Sequence, residues 1–230
     1  MHIRISETPA FHRAEELLSS IQRETVDRYS RYWQSITPTT PAQILNRWLF
    51  AFCSVHTTWE ANLRAYRAVA SVPAAELIDQ RRVFDLLRPT GCGLWNVRTT
   101  GISRFVTSYL HNPDHWKRKR PESQATWRDR LVLGLTGLGM AKTSFVIEML
   151  QPLRSRVLCI DTHVLQWYGL AVGVKLSQTV YHRIEQHWID QCRRRKIPPA
   201  LARHVIWDSR QGRTLSSYWS HVFEQEKSCN

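Results

Sequence analysis

Apolar residues recur at helical rather than alternating spacing along most of this chain, and only 9 Gly and 10 Pro interrupt its 230 residues. That pattern is met by packed amphipathic helices, so the expected fold class is all-α. With 43% hydrophobic residues and 10 Trp, there is ample material for a core, which excludes disorder as the main state. Helical patterns cover residues 11–35, 42–52, 58–70, 74–87, 93–110, 124–136 and 140–150, with two or three more after residue 176. Between them lie breaks such as Thr37-Pro38-Thr39-Thr40-Pro41, Pro89-Thr90-Gly91, Asn112-Pro113-Asp114 and Gln151-Pro152. Apolar stretches stop far short of the roughly 18 to 20 residues a bilayer requires. Met1 to Glu7 carry no secretory pattern, and no membrane association is expected.

Lys and Arg number 32 against 19 Asp and Glu, a net charge of +13 that attracts polyanions, nucleic acid being the commonest. A generally basic solvated surface is the alternative. The densest run, Trp116-Lys117-Arg118-Lys119-Arg120-Pro121, reads either as a phosphate-contacting loop or as a solvated one, and Arg193 to Lys196 pose the same choice. Cys53, Cys92, Cys159, Cys192 and Cys229 are odd in number, scattered and never in a Cys-x-x-Cys pair. They read as free thiols of a reducing cytoplasm and leave no place for a four-cysteine zinc or iron–sulfur site. His111 and His115 have Pro113 between them, and His182 and His187 are off the i, i+4 register, so no metal site is expected.

The stretch with chemical content is Leu135-Thr136-Gly137-Leu138-Gly139-Met140-Ala141-Lys142-Thr143-Ser144-Phe145, between two helical patterns. Two glycines two apart let the backbone turn tightly and present N–H groups at the start of the next helix, where its dipole favours an anion. A phosphate diester suits that place, and Lys142 adds charge without reading a base. Cys159-Ile160-Asp161-Thr162-His163 follows, with Asp161 placed 22 residues after Gly139. Asp161 reads as a plain helix N-cap or, beside such a hairpin, as a carboxylate that stabilises positive charge on a deoxyribose or positions water.

At these residues the sequence resembles the helix-hairpin-helix DNA glycosylase superfamily, the group that includes endonuclease III. Leu135 to Ser144 is similar to its hairpin and Ile160-Asp161-Thr162-His163 to its Val-Asp-Thr-His segment. Phe52-Cys53-Ser54-Val55-His56-Thr57-Thr58 resembles an early helix end that supplies a DNA-inserting side chain. Thr90-Gly91-Cys92-Gly93-Leu94-Trp95-Asn96 resembles a Gly-Leu-Tyr-Asn turn whose Leu wedges into the base stack. The matches span about residues 42–170.

The resemblance implies one catalytic domain, 1–230, of two helical lobes with a cleft between them. One lobe is about 42–150 with the hairpin at 135–145, the other about 1–41 plus 151–230. It implies Asp161 as catalytic carboxylate and a DNA interface of Gly137, Leu138, Gly139, Met140, Lys142, Thr143, His56, Leu94 and Asn96, to which the basic run adds Lys117, Arg118 and Lys119 as phosphate contacts. Trp207, Asp208 and Trp219 are candidates for a base pocket, because aromatic faces stack on extruded bases. The partner implied is double-stranded DNA held mainly through phosphates by a monomer, in the cytoplasm of a bacterium or virus-infected cell or on its nucleoid. No cofactor and no iron–sulfur cluster are expected, with a monovalent cation at the hairpin left open.

Bifunctional members carry a nucleophilic Lys two residues after the second hairpin glycine, where this chain has Ala141. Lys142 comes one residue later, about 100° around a helix, and serves as nucleophile only if the hairpin shifts by a residue. The expected function is therefore a monofunctional DNA glycosylase hydrolysing the N-glycosidic bond of a flipped damaged or modified base. The alternatives are a base-modifying enzyme on the same scaffold, of the viral thymine-hypermodification type, and a non-catalytic hairpin DNA-binding protein.

Overall fold

A computed structural model describes residues 9–171, 173–212 and 222, and every regular element among them is helical. The α-helices are α1 Pro9–Ser19, α2 Arg23–Ser35, α3 Pro41–Cys53, α4 Trp59–Ala70, α5 Gln80–Leu87, α6 Trp95–His111, α7 Gln124–Gly134, α8 Met140–Leu150, α9 Thr162–Trp167, α10 Gln178–Arg194 and α11 Pro199–Arg210. Short 3₁₀ turns lie at Ala74–Ile78, Arg88–Thr90 and Pro113–Trp116. The chain divides into two compact units, Pro38–Leu150 and the flanking pair Met1–Thr37 with Gln151–Asn230.

In the unit Pro38–Leu150, α3 starts where Thr40 and Gln43 satisfy each other's backbone N–H groups in a capping box ahead of Pro41. Every residue from Arg47 to Cys53 is buried, so α3 needs cover on all sides, and α4, α6 and α8 supply it. The Trp48 and Phe105 rings lie 5.0 Å apart, and Phe105 meets Trp116 edge-on at 4.8 Å. The Trp127 indole donates to the Trp116 carbonyl at 3.1 Å, which ties α7 to the turn before it.

In the other unit, Val26, Tyr29 and Trp33 recur at helical spacing on α2 and are buried in its packing against α11. Trp167 of α9 stacks on Trp188 of α10 at 5.5 Å and 22°. The sequence pattern over 11–35 proves to be two helices. Ser19 and Ser20 fold their hydroxyls back onto the carbonyls of Glu15 and Leu17, and the chain turns at 20–22 before α2 begins. The pattern over 74–87 likewise breaks at Asp79, whose carboxylate accepts the Arg81 N–H and starts α5 afresh. No described helix is long and apolar enough to cross a membrane.

Candidate active site

Asp161 is delivered by an extended segment whose residues Val157, Leu158, Cys159 and Ile160 are all buried. Such a segment has no sheet to satisfy its backbone, and α10 does so instead. Glu185 accepts the Leu158 N–H at 2.7 Å, while the Tyr181 hydroxyl donates to the Leu158 carbonyl at 2.6 Å and accepts from the Ile160 N–H at 3.3 Å. With the segment fixed at three points, Asp161 caps α9. Its Oδ1 accepts from the N–H groups of His163 at 3.0 Å and Val164 at 3.1 Å.

Capping occupies one oxygen of two. Oδ2 faces Nη1 of Arg203 at 3.7 Å, and the Asp161 side chain remains 23% exposed. The two sequence readings of Asp161, helix cap and chemically available carboxylate, are therefore compatible in one conformation. The His163 ring meets Trp207 of α11 edge-on at 6.2 Å, so Trp207 packs beside the helix that Asp161 caps. Asp208, the next residue, does not line a pocket. It is 1% exposed, and its Oδ2 accepts from the Tyr29 hydroxyl at 2.7 Å, which braces α2 against α11. Consecutive helical side chains point about 100° apart, so Trp207 and Asp208 do not share a face. Trp219 lies outside the described residues.

The hairpin occupies 135–139, between α7 and α8. Gly137 has φ +85°, a left-handed conformation that favours glycine, and a Cβ there would sit 3.2 Å from Val97. Gly139 precedes α8 and has no side chain with which to cap it, so the exposed glycine leaves the first N–H groups of α8 to other acceptors. Thr143 returns both its N–H and its hydroxyl to the Gly139 carbonyl at 3.0 Å. Leu138 and Thr143, both placed in the DNA interface by the sequence, are buried, so they shape the hairpin rather than present side chains from it. Lys142 is half-buried and its ammonium lies over the Phe145 ring at 5.5 Å. Met140 is also half-buried.

His56 and Leu94 are exposed and have positive φ, 43° and 48°, which is rare for side chains of this size. Nothing in the residues next to them accounts for that backbone. Arg98 does so: it is 2% exposed and donates to the carbonyls of Cys92 at 2.7 Å, of Gly93 and of Val55. One buried guanidinium thus fastens the turn that carries Leu94 to the turn that carries His56. Its position was marked in the sequence, since Arg98 begins the buried stripe Arg98, Ile102, Phe105, Val106, Tyr109 of α6. Asn96 is exposed in the first turn of α6.

Lys117, Arg118 and Lys119 are exposed, with Lys117 pairing to Asp114 at 2.8 Å. Their loop is not free. Arg130 of α7 donates to the carbonyls of His115 at 2.8 Å and Lys117 at 2.9 Å, and its Nε and Nη2 donate to the two oxygens of Glu122 at 2.6 and 3.1 Å. The hydrogen bond from Arg130 is the chief reason that the Glu122 carboxyl is held down from 4.5 to about 2; the Lys119 N–H helps, and desolvation opposes. A depressed folded value contributes stability that is complete above pH ~4.5 and lost as pH falls toward ~2. Glu122→Gln is expected to lower the melting temperature at pH 6 to 7, with the difference from wild type shrinking below pH ~4.5 and gone near pH 2. Melting curves across that range check it.

Cys53, Cys92, Cys159 and Cys192 are buried free thiols. Burial, with Cys92 beside it, pushes the Cys53 thiol well up, which makes it a poor nucleophile. Cys229 lies outside the described residues. His187 of α10 joins Tyr168 at 2.8 Å and Glu15 at 3.2 Å, a bracing network between α1 and α10. Arg193 pairs with Asp190 at 3.2 Å, and Arg195 donates to Gln191 and Ser19. Among the described residues no cluster of three or more His, Cys, Asp or Glu is placed to hold a metal ion.

A glycine hairpin between two helices, followed 22 residues on by an aspartate that opens another, lies within an all-α chain whose fold is that of the helix-hairpin-helix DNA glycosylases. The chain is similar to the crystal structure of Methanocaldococcus jannaschii 8-oxoguanine DNA glycosylase, with a TM-score of 0.67 and 19% identity over 90% of this chain and 95% of that one. It is similar also to the 8-oxoguanine glycosylase/lyase of the same organism in complex with 15mer DNA containing 8-oxoguanine, with a TM-score of 0.65 and 19% identity over 90% of this chain and 99% of that one. No family model matches the chain, and neither does any curated protein.

Proposed function

We propose that this protein is a DNA N-glycosylase that hydrolyses the bond between deoxyribose and an extruded damaged or modified base, with Asp161 as its catalytic carboxylate and water as the nucleophile. The observation that carries the reading is the state of Asp161: one oxygen holds α9 in place, and the other belongs to a part-exposed carboxylate at the end of a rigidly pinned segment. As the base departs, positive charge develops on the sugar, and a preorganised anion stabilises that charge without reorganising. The start of α8, preceded by a glycine with no side chain to cap it, accepts a backbone phosphate, and the exposed Leu94 and His56, on turns fastened by Arg98, contact the DNA. Exposed Lys117, Arg118 and Lys119 add attraction for phosphates without sequence preference. Trp207 supplies an aromatic face for the extruded base.

The Methanocaldococcus neighbour is named a glycosylase/lyase. For this chain, Ala141 at the nucleophile position and the seat of the Lys142 ammonium on Phe145 favour simple hydrolysis. Because that neighbour is an 8-oxoguanine glycosylase/lyase, 8-oxoguanine is the first base to try. The test is incubation with duplexes carrying 8-oxoguanine and other damaged or mismatched bases, and with genomic DNAs containing hypermodified bases, scored for free base and abasic sites with and without alkali. Free base with strand breaks only after alkali is the expected result. Strand cutting without alkali, with borohydride trapping that Lys142→Ala abolishes, would remove the hydrolytic half of the proposal. The absence of free base on every substrate would remove all of it.

A further inference from the structure

The reading of Asp161 leaves open what fixes its second oxygen, and α11 answers with a buried cation. Arg203 is 3% exposed, and its Nη1 lies 3.7 Å from Asp161 Oδ2. Its other arm, Nη2, meets Nε2 of His204 at 2.8 Å. Guanidinium can only donate, so Nε2 must offer a lone pair and the imidazole must be neutral. Burial first, and the Arg203 charge second, hold the His204 pKa well below its ordinary value, in agreement with that assignment. The His204 ring is itself immobilised, stacked on Trp33 of α2 at 4.3 Å and 16°. A line of support therefore runs Trp33, His204, Arg203, Asp161 through the interior of one unit.

We propose that Arg203 is the positioning residue of the Asp161 carboxylate, braced from behind by neutral His204, and that it sets the direction of Oδ2 for the base-release step. This rests on the proposed role of Asp161 and deepens it. The geometry suits orientation rather than sequestration. At 3.7 Å the pair attracts electrostatically but lies beyond hydrogen-bond length, so Oδ2 keeps its lone pairs for a sugar or a water. Burying a guanidinium carries a desolvation cost of several kcal/mol per ion in general, a cost that a well-packed apolar side chain would avoid. A helix that needed only to pack would be served as well by methionine.

The test separates this role from a general structural one by double-mutant kinetics. Single-turnover base release is measured for wild type, Arg203→Met, Asp161→Asn and the double variant, on the substrate that the wild type processes, together with DNA affinity and melting temperature. Misplacing a reacting group by about 1 Å costs up to about 100-fold, so Arg203→Met is expected to slow release roughly 10- to 100-fold with DNA affinity within about threefold of wild type. In the Asp161→Asn background the same change should add nothing, because its effect passes through that carboxylate. Arg203→Lys, which keeps the charge but not the fork, should recover part of the rate, and it carries the test if the methionine variant does not fold. A wild-type rate in both single Arg203 variants, or a full further loss in the double variant, overturns the positioning role while leaving the glycosylase reading intact. A wild type that frees no base from any substrate overturns both.

Discussion

Asp161→Asn is expected to slow base release by two to three orders of magnitude while DNA affinity and fold survive. The substitution keeps the shape and the carbonyl-type acceptor, so the cap on α9, made by Oδ1 to His163 and Val164, is retained. What is lost is one negative charge. Removing a preorganised group that stabilises transition-state charge costs about 10²- to 10³-fold, or about 3 to 4 kcal/mol. Asp161→Ala makes the contrast, because it deletes cap and charge together and adds about 1 kcal/mol of destabilisation to the same catalytic loss. The measurements are single-turnover release of free base, DNA binding by fluorescence anisotropy, and thermal melting of both variants. Full activity of the asparagine variant would reduce Asp161 to a helix cap. A loss of activity paralleled by a loss of binding would place its effect in docking rather than chemistry.

The helices were legible because local rules and burial agree in them. Thr40-Pro41 with Gln43 starts α3, and the apolar run after it has to be covered on every side. Asp161-Thr162-His163 was readable as a helix start for the same reason. What escaped sequence reasoning is set by residues far apart in the chain. The positive φ values of His56 and Leu94 belong to side chains with no intrinsic liking for that region, and the guanidinium that bonds beside them reaches one carbonyl across 43 residues. The support behind Asp161 comes from Arg203, Tyr181 and Glu185 on helices 20 to 42 residues further on. Each is a charged or polar residue among the mostly apolar buried positions of its helix, and that anomaly was the available signal. Trp207 and Asp208 are adjacent in the sequence, yet neighbouring positions on a helix diverge: Trp207 meets His163 of α9, while Asp208 turns to Tyr29 of α2. For the tryptophans, Trp33, Trp48, Trp116, Trp127, Trp167 and Trp188 are core, as their number in the chain suggested.

The largest stability effect is expected where sequence rules point the wrong way, at Gly101. This glycine sits in the interior of α6, where alanine is favoured by about 1 kcal/mol on propensity alone. A Cβ built there, however, would lie 2.5 Å from the Thr136 carbonyl oxygen and 3.0 Å from Cε1 of Phe52. The first neighbour is main chain of the hairpin, and it cannot rotate away as a side chain end could. Accommodating a methyl group means moving the hairpin off α6 or moving α6 off α3, and overpacking of this kind costs about 1 to 3 kcal/mol or more. Gly101→Ala is therefore expected to lower the melting temperature by roughly 5 to 10 °C and to weaken DNA binding. Gly101→Val should do more of both. Gly134→Ala supplies the control within the same unit, because a Cβ there meets nothing within 4 Å and the backbone is not left-handed, so its melting temperature should stay level or rise. If Gly101→Ala proved as stable as Gly134→Ala, the hairpin would not be seated on α6 by this contact. The phosphate grip assigned to the hairpin would then depend on Gly137 and the start of α8 alone.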